Sequence, residues 1–168
     1  MINGRKALLV MDMQEICVGE NRARFFKYDK DIVKKVNEVI KRNDNIVYIR
    51  TLLKNNIISR LLPIHILDKN KGARLADNLL IKSSLVFDKY QGDAFSNPIL
   101  SEYLNKNGID TLEIVGIDGG GCVSSTAFGA IKNGYKVILN TKAIDTMFKM
   151  RSARRYNTLK KKGAIILK

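Results

Sequence analysis

The sequence predicts an α/β fold of three layers, with helices on both faces of a doubly wound, mostly parallel six-stranded sheet. Short apolar runs, typical of strands buried on both faces, recur along the chain and begin with residues 6–11. Stretches with the apolar spacing of helices alternate with these runs. We therefore expect residues 1–168 to form a single domain, the usual outcome for this length.

The first half of the chain predicts one βαβ unit. Lys6 to Met11 gives the first strand, and Asp29 can cap the helix that follows. One apolar stripe marks that helix and consists of Ile32, Val33, Val36, Val39 and Ile40. Residues 46–52 predict the second strand. From Lys54 to Lys82 we expect a loop with a short helical piece near residues 57–61.

The second half predicts four more strands, at residues 85–88, 112–117, 135–139 and 164–167. The helix after the polar loop at 89–97 begins at Asn97 or Ser96, because Pro98 suits the first helical position. The last helix covers residues 152–162. Three helices of this half are predicted to end at glycines, namely Gly108, Gly134 and Gly163.

The net charge of +14 would suit an anionic partner, but its distribution gives little support to one. The densest basic stretch, residues 149–162, contains Tyr156 without regularly interleaved aromatic residues. The chain is rich in Lys, Asn and Ile, which is typical of a biased amino-acid supply. We therefore expect a small-molecule substrate rather than nucleic acid as the partner.

Cysteine usage and the N-terminal residues predict the compartment. Two cysteines do not make a disulfide framework, so both thiols are expected free in a reducing environment. The apolar run Ala7 to Met11 is too short for a secretory signal, and no stretch approaches the length of a membrane span. We expect a cytoplasmic protein that does not associate with membranes.

Three chemically useful side chains follow predicted strands. Asp12 ends the first strand, Lys89 the third, and the fourth leads through three glycines to Cys122 at a helix start. Ligands of open α/β sheets bind outside the carboxyl ends of the strands. An acid, a base and a thiol are therefore expected on one edge of the sheet.

These residues predict a nucleophilic thiol. A helix N-terminus and a nearby ammonium lower the pKa of a thiol toward neutrality, and Asp12 could accept its proton. Glycines before Cys122 would let backbone N–H groups approach a developing oxyanion. The alternatives are a packing cysteine, an ordinary glycine turn and an aspartate that caps a local turn.

Three blocks resemble the isochorismatase-like cysteine hydrolases: ALLVMDMQ (7–14), DKYQGDAF (88–95) and GIDGGGCVSSTAFGAIKNGYKV (116–137). A softer match is KGARLADNLL (71–80). The resemblance implies a Rossmann-like sheet order of 3-2-1-4-5-6 and a catalytic triad of Asp12, Lys89 and Cys122. In that order the third strand lies about 10 Å from the first, so Lys89 must reach back or the chain must bend.

The resemblance also implies the remaining parts of a site. Cys122 would form a thioester with a small amide or carbamoyl compound, and water would then cleave it. A cis peptide between Ile117 and Asp118 would turn the N–H groups of Asp118 and Cys122 into an oxyanion hole. The matched blocks further imply that Gln14, Phe95 and Gly121 bind substrate, and that the protein is a homodimer or homotetramer.

Two departures from the family pattern stand out. Asp118-Gly119-Gly120 replaces the usual Ala-Thr-Asp, and an acidic Asp118 beside the thiol would raise the pKa of Cys122. Nicotinamidases carry Asp-x-His after strand two, where this chain reads RTLLKNN, and His65 is its sole histidine. We predict no metal or other cofactor, with His65 in a loop or pocket wall and Cys17 as a packing residue.

The sequence thus favours a metal-independent amidohydrolase. One alternative is hydrolysis of an isochorismate-type vinyl ether, which does not need a thiol in the same way. The other is a non-catalytic binding or regulatory protein, suggested by the Asp118-Gly-Gly-Gly stretch.

Overall fold

The computed structural model describes residues 5–53 and 71–168, and their sheet confirms the predicted fold. Six strands lie in the order β3-β2-β1-β4-β5-β6, and every neighbouring pair is parallel. The strands are β1 Arg5–Met11, β2 Ile46–Thr51, β3 Val86–Lys89, β4 Ile109–Gly116, β5 Lys136–Ile144 and β6 Ile165–Leu167.

Helices cover both faces of the sheet. In the described ranges they are α1 Glu15–Val18, α2 Ile32–Lys41, α3 Pro98–Lys106, α4 Cys122–Lys132 and α5 Lys149–Lys161. Short 3₁₀ turns occur at Lys71–Ala73 and Ala94–Ser96. No helix in this part of the chain is long and apolar enough to cross a lipid bilayer.

The alternation of side chains along β1 explains the two covering layers. Leu9 and Met11 point into a core shared with α3, α4 and α5, whereas Leu8 and Val10 point into a core shared with α1 and α2. All four side chains are fully buried. A strand with helices on both faces needs apolar residues at every position, which is why the first strand reads as a continuous apolar run.

Most predicted element ends are close to the observed ones. Asn97 caps α3 by accepting a hydrogen bond from Ile99 N, and Pro98 is its first residue. Positive φ angles of 63°, 85° and 95° follow α3, α4 and α5, at Gly108, Gly134 and Gly163. These angles are costly for residues with a side chain, so the glycines end the helices as predicted.

Three expectations about elements need correction. The N-cap of α2 is Asp31; the Asp29 carboxylate accepts a hydrogen bond from Asp31 N in the preceding turn. The fifth strand runs to Ile144 rather than ending at 139, because it continues beside β4 after a register shift. The last helix begins at Lys149 rather than 152. The helical piece expected at 57–61 lies outside the described residues.

Candidate active site

The ends of β1 and β3 and the start of α4 bring Asp12, Lys89 and Cys122 together. Lys89 Nζ lies 3.1 Å from Asp12 Oδ2 and 3.1 Å from Cys122 Sγ. Lys89 and Asp12 are almost fully buried, and Cys122 is partly exposed. The three side chains named from the strand exits therefore form one contact cluster at the carboxyl edge of the sheet.

Thr51, the last residue of β2, bridges the gap between β3 and β1. It pairs in register with Lys89 and accepts a hydrogen bond from Lys89 Nζ. Its own hydroxyl donates to Asp12 Oδ1 at 2.9 Å. The lysine side chain thus crosses the end of β2 and needs no bend in the chain. Thr51 was missed from the sequence, although it lies at a strand exit as Asp12 and Lys89 do.

The backbone at Asp12 turns sharply to present the carboxylate. Its φ of 53° is in the left-handed region, which aspartate tolerates better than most residues with a side chain. Its N–H still donates to Ile49 O at 2.9 Å, so the residue stays bonded to β2 where the chain turns away from the sheet. The close approach of Gly116 to Met11 on the neighbouring strand leaves no room there for a Cβ.

Burial and the neighbouring charges together set the protonation states of Lys89 and Cys122. Burial lowers the pKa of Lys89, but Asp12 and Cys122 more than offset this and raise it, so the amine is an ammonium. Burial, together with the charge of Asp12, raises the pKa of the Cys122 thiol to about 11, against the lowering effect of Lys89. The expected shift toward neutrality is therefore wrong. At neutral pH the cluster therefore holds a protonated thiol beside an ammonium.

The carboxylate of Asp118 binds the loop before Cys122. Its oxygens accept hydrogen bonds from Gly120 N at 2.8 Å, Thr146 Oγ1 at 2.9 Å, Met147 N at 2.8 Å and Tyr28 OH at 3.3 Å. The main causes that raise the pKa of Cys122 are burial and Asp12, rather than Asp118 as the sequence suggested. The acidic residue in the glycine loop thus acts as a local anchor.

The glycine loop is held throughout its length. Gly119 N donates to Asp145 O at 2.9 Å, and Gly119 O accepts from the Ser124 hydroxyl. Gly121 N donates to Asp118 O at 3.0 Å, and Gly121 lies at the N-cap of α4. The peptide between Ile117 and Asp118 is cis. Within residues 5–53 and 71–168, neither Asp118 N nor Cys122 N donates a hydrogen bond to another protein group.

A match to a family model over nearly the whole chain shows the family. The isochorismatase domain matches residues 6–168. The chain belongs to the isochorismatase family. Comparison with the curated proteins gave no match.

Three solved structures of other proteins share the fold. Pyrococcus horikoshii pyrazinamidase in complex with zinc is 27% identical, with a TM-score of 0.83 over 97% of this chain and 98% of its own. An isochorismatase-like hydrolase from Alkaliphilus metalliredigens is 24% identical, with a TM-score of 0.83 and coverage of 98% and 94%. N-carbamoylsarcosine amidase from Thermoplasma acidophilum is 22% identical, with a TM-score of 0.81 and coverage of 98% and 96%.

A metal such as the zinc of the Pyrococcus relative does not fit the residues described for this isochorismatase-family chain. No three His, Cys, Asp or Glu side chains in the described ranges group closely enough to hold a metal ion. The segment 50–56, RTLLKNN, carries no histidine or carboxylate. His65 lies outside the described residues.

Gln14 and Phe95, two of the residues predicted to bind substrate, lie in different surroundings. Gln14 is fully buried; its amide donates to Thr51 O and Ala73 O and accepts from Thr51 N, so it fixes the end of β2. Phe95 packs on the Tyr135 ring, and the N–H of the preceding Ala94 donates to Thr126 Oγ1 in the middle of α4 at 3.0 Å. The contacts of Gln14 favour a structural role for it, whereas substrate contact by Phe95 stays a prediction.

Tyr28 is a second residue for which no sequence pattern predicted a role. Its hydroxyl donates to Asp118 Oδ2, and its ring stacks on Phe26. Burial, with the nearby charge of Asp118, raises the pKa of Tyr28, so the phenol stays protonated and can donate. Tyr28 reaches the loop from a connection between helices, a contact that no local pattern marks.

Proposed function

We propose that this isochorismatase-family hydrolase cleaves a small amide or carbamoyl compound through a thioester on Cys122. The observation that carries the proposal is the contact of one buried ammonium, on Lys89, with both the Cys122 thiol and the Asp12 carboxylate. A thiol, a base and a fixed cation within hydrogen-bond reach match the requirements of an activated nucleophile.

In the first half of the reaction, Cys122 Sγ attacks the substrate carbonyl carbon while its proton moves to Asp12. The carbonyl oxygen takes the negative charge and accepts hydrogen bonds from Asp118 N and Cys122 N, the two uncommitted amides beside the thiol. The intermediate then collapses to a thioester. The C–N bond breaks, and the leaving nitrogen takes the proton held by Asp12.

In the second half, water attacks the thioester carbon and gives its proton to Asp12. The C–S bond breaks, the sulfur recovers the proton, and the carboxylic or carbamic acid leaves. Lys89 stays an ammonium throughout, because its pKa is raised by Asp12 and Cys122 despite burial. It stabilises the thiolate whenever one forms, which compensates for the high pKa of the resting thiol.

We also propose that no metal takes part. The chain has one histidine, and the polar atoms of the Asp12–Lys89–Thr51 cluster already bond one another. Activity should survive dialysis against a chelator. The expected homodimer or homotetramer is a separate proposal, which light scattering at several protein concentrations would test.

Ammonia release from a panel of small amides and ureas tests the proposed reaction. We expect release from at least one compound and its loss in Cys122→Ala, while Cys17→Ala, the other free thiol, stays active. Activity that survives Cys122→Ala would remove the proposed nucleophile. Pyruvate release from isochorismate that needs Asp12 but not Cys122 would favour vinyl ether hydrolysis. Absence of both activities would favour a binding or regulatory protein.

A further inference from the structure

A cavity of about 770 Å³ lies around the start of α5, outside the Asp12–Lys89–Cys122 cluster. Four of the residues that line it are cations: Lys149, Arg151, Arg154 and Arg155. The lining contains no aspartate or glutamate. In the described part of the chain, none of the four cations forms an ion pair. The cavity thus concentrates positive charge that the described residues do not neutralise.

Arg155 is the cation most constrained by its surroundings. Its Nη2 donates to Ser125 Oγ at 3.0 Å, and its guanidinium lies 5.2 Å from the centre of the Phe128 ring. Its Nε is buried and has no hydrogen-bond partner. An unpaired buried donor costs roughly 1–3 kcal/mol, so an acceptor at this position would stabilise the side chain. Partial burial, with the charge of Arg151, also lowers the pKa of Arg155.

The remaining residues that line the cavity are apolar. Met147, Phe148 and Met150 complete the lining. Phe148 is 53% exposed and Met150 is 73% exposed, although both are large hydrophobic side chains. A ligand that covers them would remove apolar surface from water, at about 25 cal/mol per Å². Charge and apolar surface therefore face the same space.

We propose that this cavity binds a small organic anion in which a carboxylate is attached to an aromatic or aliphatic body. The carboxylate would pair with the arginines, whose planar fork suits it, and the body would cover Phe148 and Met150. A second copy of this chain that docks through the same face is a poor occupant, because it would bring four further cations to this surface.

The cavity lies against the loop that carries Cys122. A Cβ added at Gly120 would lie 3.1 Å from Ser152 N and 3.2 Å from Phe148 O, so the start of α5 packs closely on this loop. Met147, which lines the cavity, donates its N–H to Asp118. The amide of Gly120 is therefore a nearby reporter of occupancy that does not depend on any enzymatic activity.

Titration with 1-naphthoate, followed by amide NMR at about 0.15 M salt, tests the site. We expect saturable shifts at residues 147–155 and at Gly120. Inorganic phosphate, which lacks the apolar body, and naphthalene-1-methanol, which lacks the charge, should each bind at least about tenfold more weakly. Equal binding of either compound, or shifts elsewhere in the protein only, would overturn the proposal.

Matched variants separate the cavity from the general positive charge. We expect at least about fivefold weaker binding of 1-naphthoate in two variants. They are the double variant Arg151→Gln/Arg154→Gln and the single variant Phe148→Ala. Lys160→Gln/Lys161→Gln removes the same charge from the far end of α5 and should change the Kd by less than about twofold. An equal loss in the control would mean that only the protein's overall field attracts the anion.

Discussion

The ammonium of Lys89 lies 3.1 Å from the sulfur of Cys122, across the end of an intervening strand. The same ammonium lies 3.1 Å from Asp12 Oδ2. One buried cation therefore contacts both the Asp12 carboxylate and the Cys122 thiol.

Replacing Lys89 by methionine leaves Asp12 as a buried charge without a cation. We expect Lys89→Met to lower the free energy of unfolding by about 3–5 kcal/mol, as for other broken buried pairs. Lys41→Met, which removes a half-exposed pair with Glu38, should cost less than about 1 kcal/mol. Urea unfolding measures the free energy of unfolding of both variants. The double variant Asp12→Asn/Lys89→Met should recover part of the stability lost in Lys89→Met. Equal losses for the two single variants would contradict the burial argument.

The pKa of about 11 for Cys122 predicts slow alkylation at neutral pH. Below the pKa, the thiolate fraction and the rate with iodoacetamide should rise about tenfold per pH unit. Asp12→Asn removes a charge that raises this pKa, so it should speed alkylation at a given pH. The same variant should slow amide hydrolysis by about 100-fold or more, because the general base is lost. The alkylation rate of the Cys122→Ala variant gives the background reaction of Cys17.

These opposite effects distinguish a base from a structural residue. If Asp12→Asn leaves the alkylation rate unchanged or slows it, the carboxylate does not control the thiol as proposed. Mass spectrometry of the modified peptide identifies which cysteine has reacted.

Removing the Asp118 carboxylate should loosen the loop before Cys122. Asp118→Ala removes the acceptor of Met147 N and the nearer of the two acceptors of Gly120 N, which also donates to Thr146 Oγ1 at 3.2 Å, so we expect a stability loss of about 1–3 kcal/mol. Hydrogen exchange at these two amides should become faster. Asp118→Asn keeps one carbonyl oxygen as an acceptor and should lie between the wild type and Asp118→Ala. An Asp118→Ala variant as stable as the wild type would show that the loop does not need this anchor.

Gly119 is predicted to be required for stability, because Tyr156 occupies the space that a side chain at position 119 would need. A Cβ at position 119 would overlap the Tyr156 hydroxyl and approach Ile144 Cγ2 to 3.1 Å, so Gly119→Ala should cost about 1–3 kcal/mol by overpacking. Combining it with Tyr156→Phe should recover part of that loss. At Gly92 a Cβ would meet only Ser125, at 3.5 Å, so Gly92→Ala is a matched control with little expected effect. Thermal unfolding of the four proteins tests the interaction.

The sequence by itself determined the layers of the fold and the chemistry at the strand ends. Continuous apolar runs indicate strands buried on both faces, and Asn97, Pro98 and the helix-ending glycines are local signals that act within a few residues. Asp12, Lys89 and Cys122 could be named because strand exits lie on one edge of a parallel sheet.

Only the tertiary structure decided how those side chains meet and which proton each holds. Thr51 bridges Lys89 to Asp12 because β2 lies between β3 and β1, and Tyr28 reaches Asp118 from 90 residues away along the chain. The pKa of Cys122 moves up rather than down because burial outweighs the nearby ammonium. Desolvation and long-range contacts depend on what surrounds a group in space, and the order of residues along a chain does not contain that information locally.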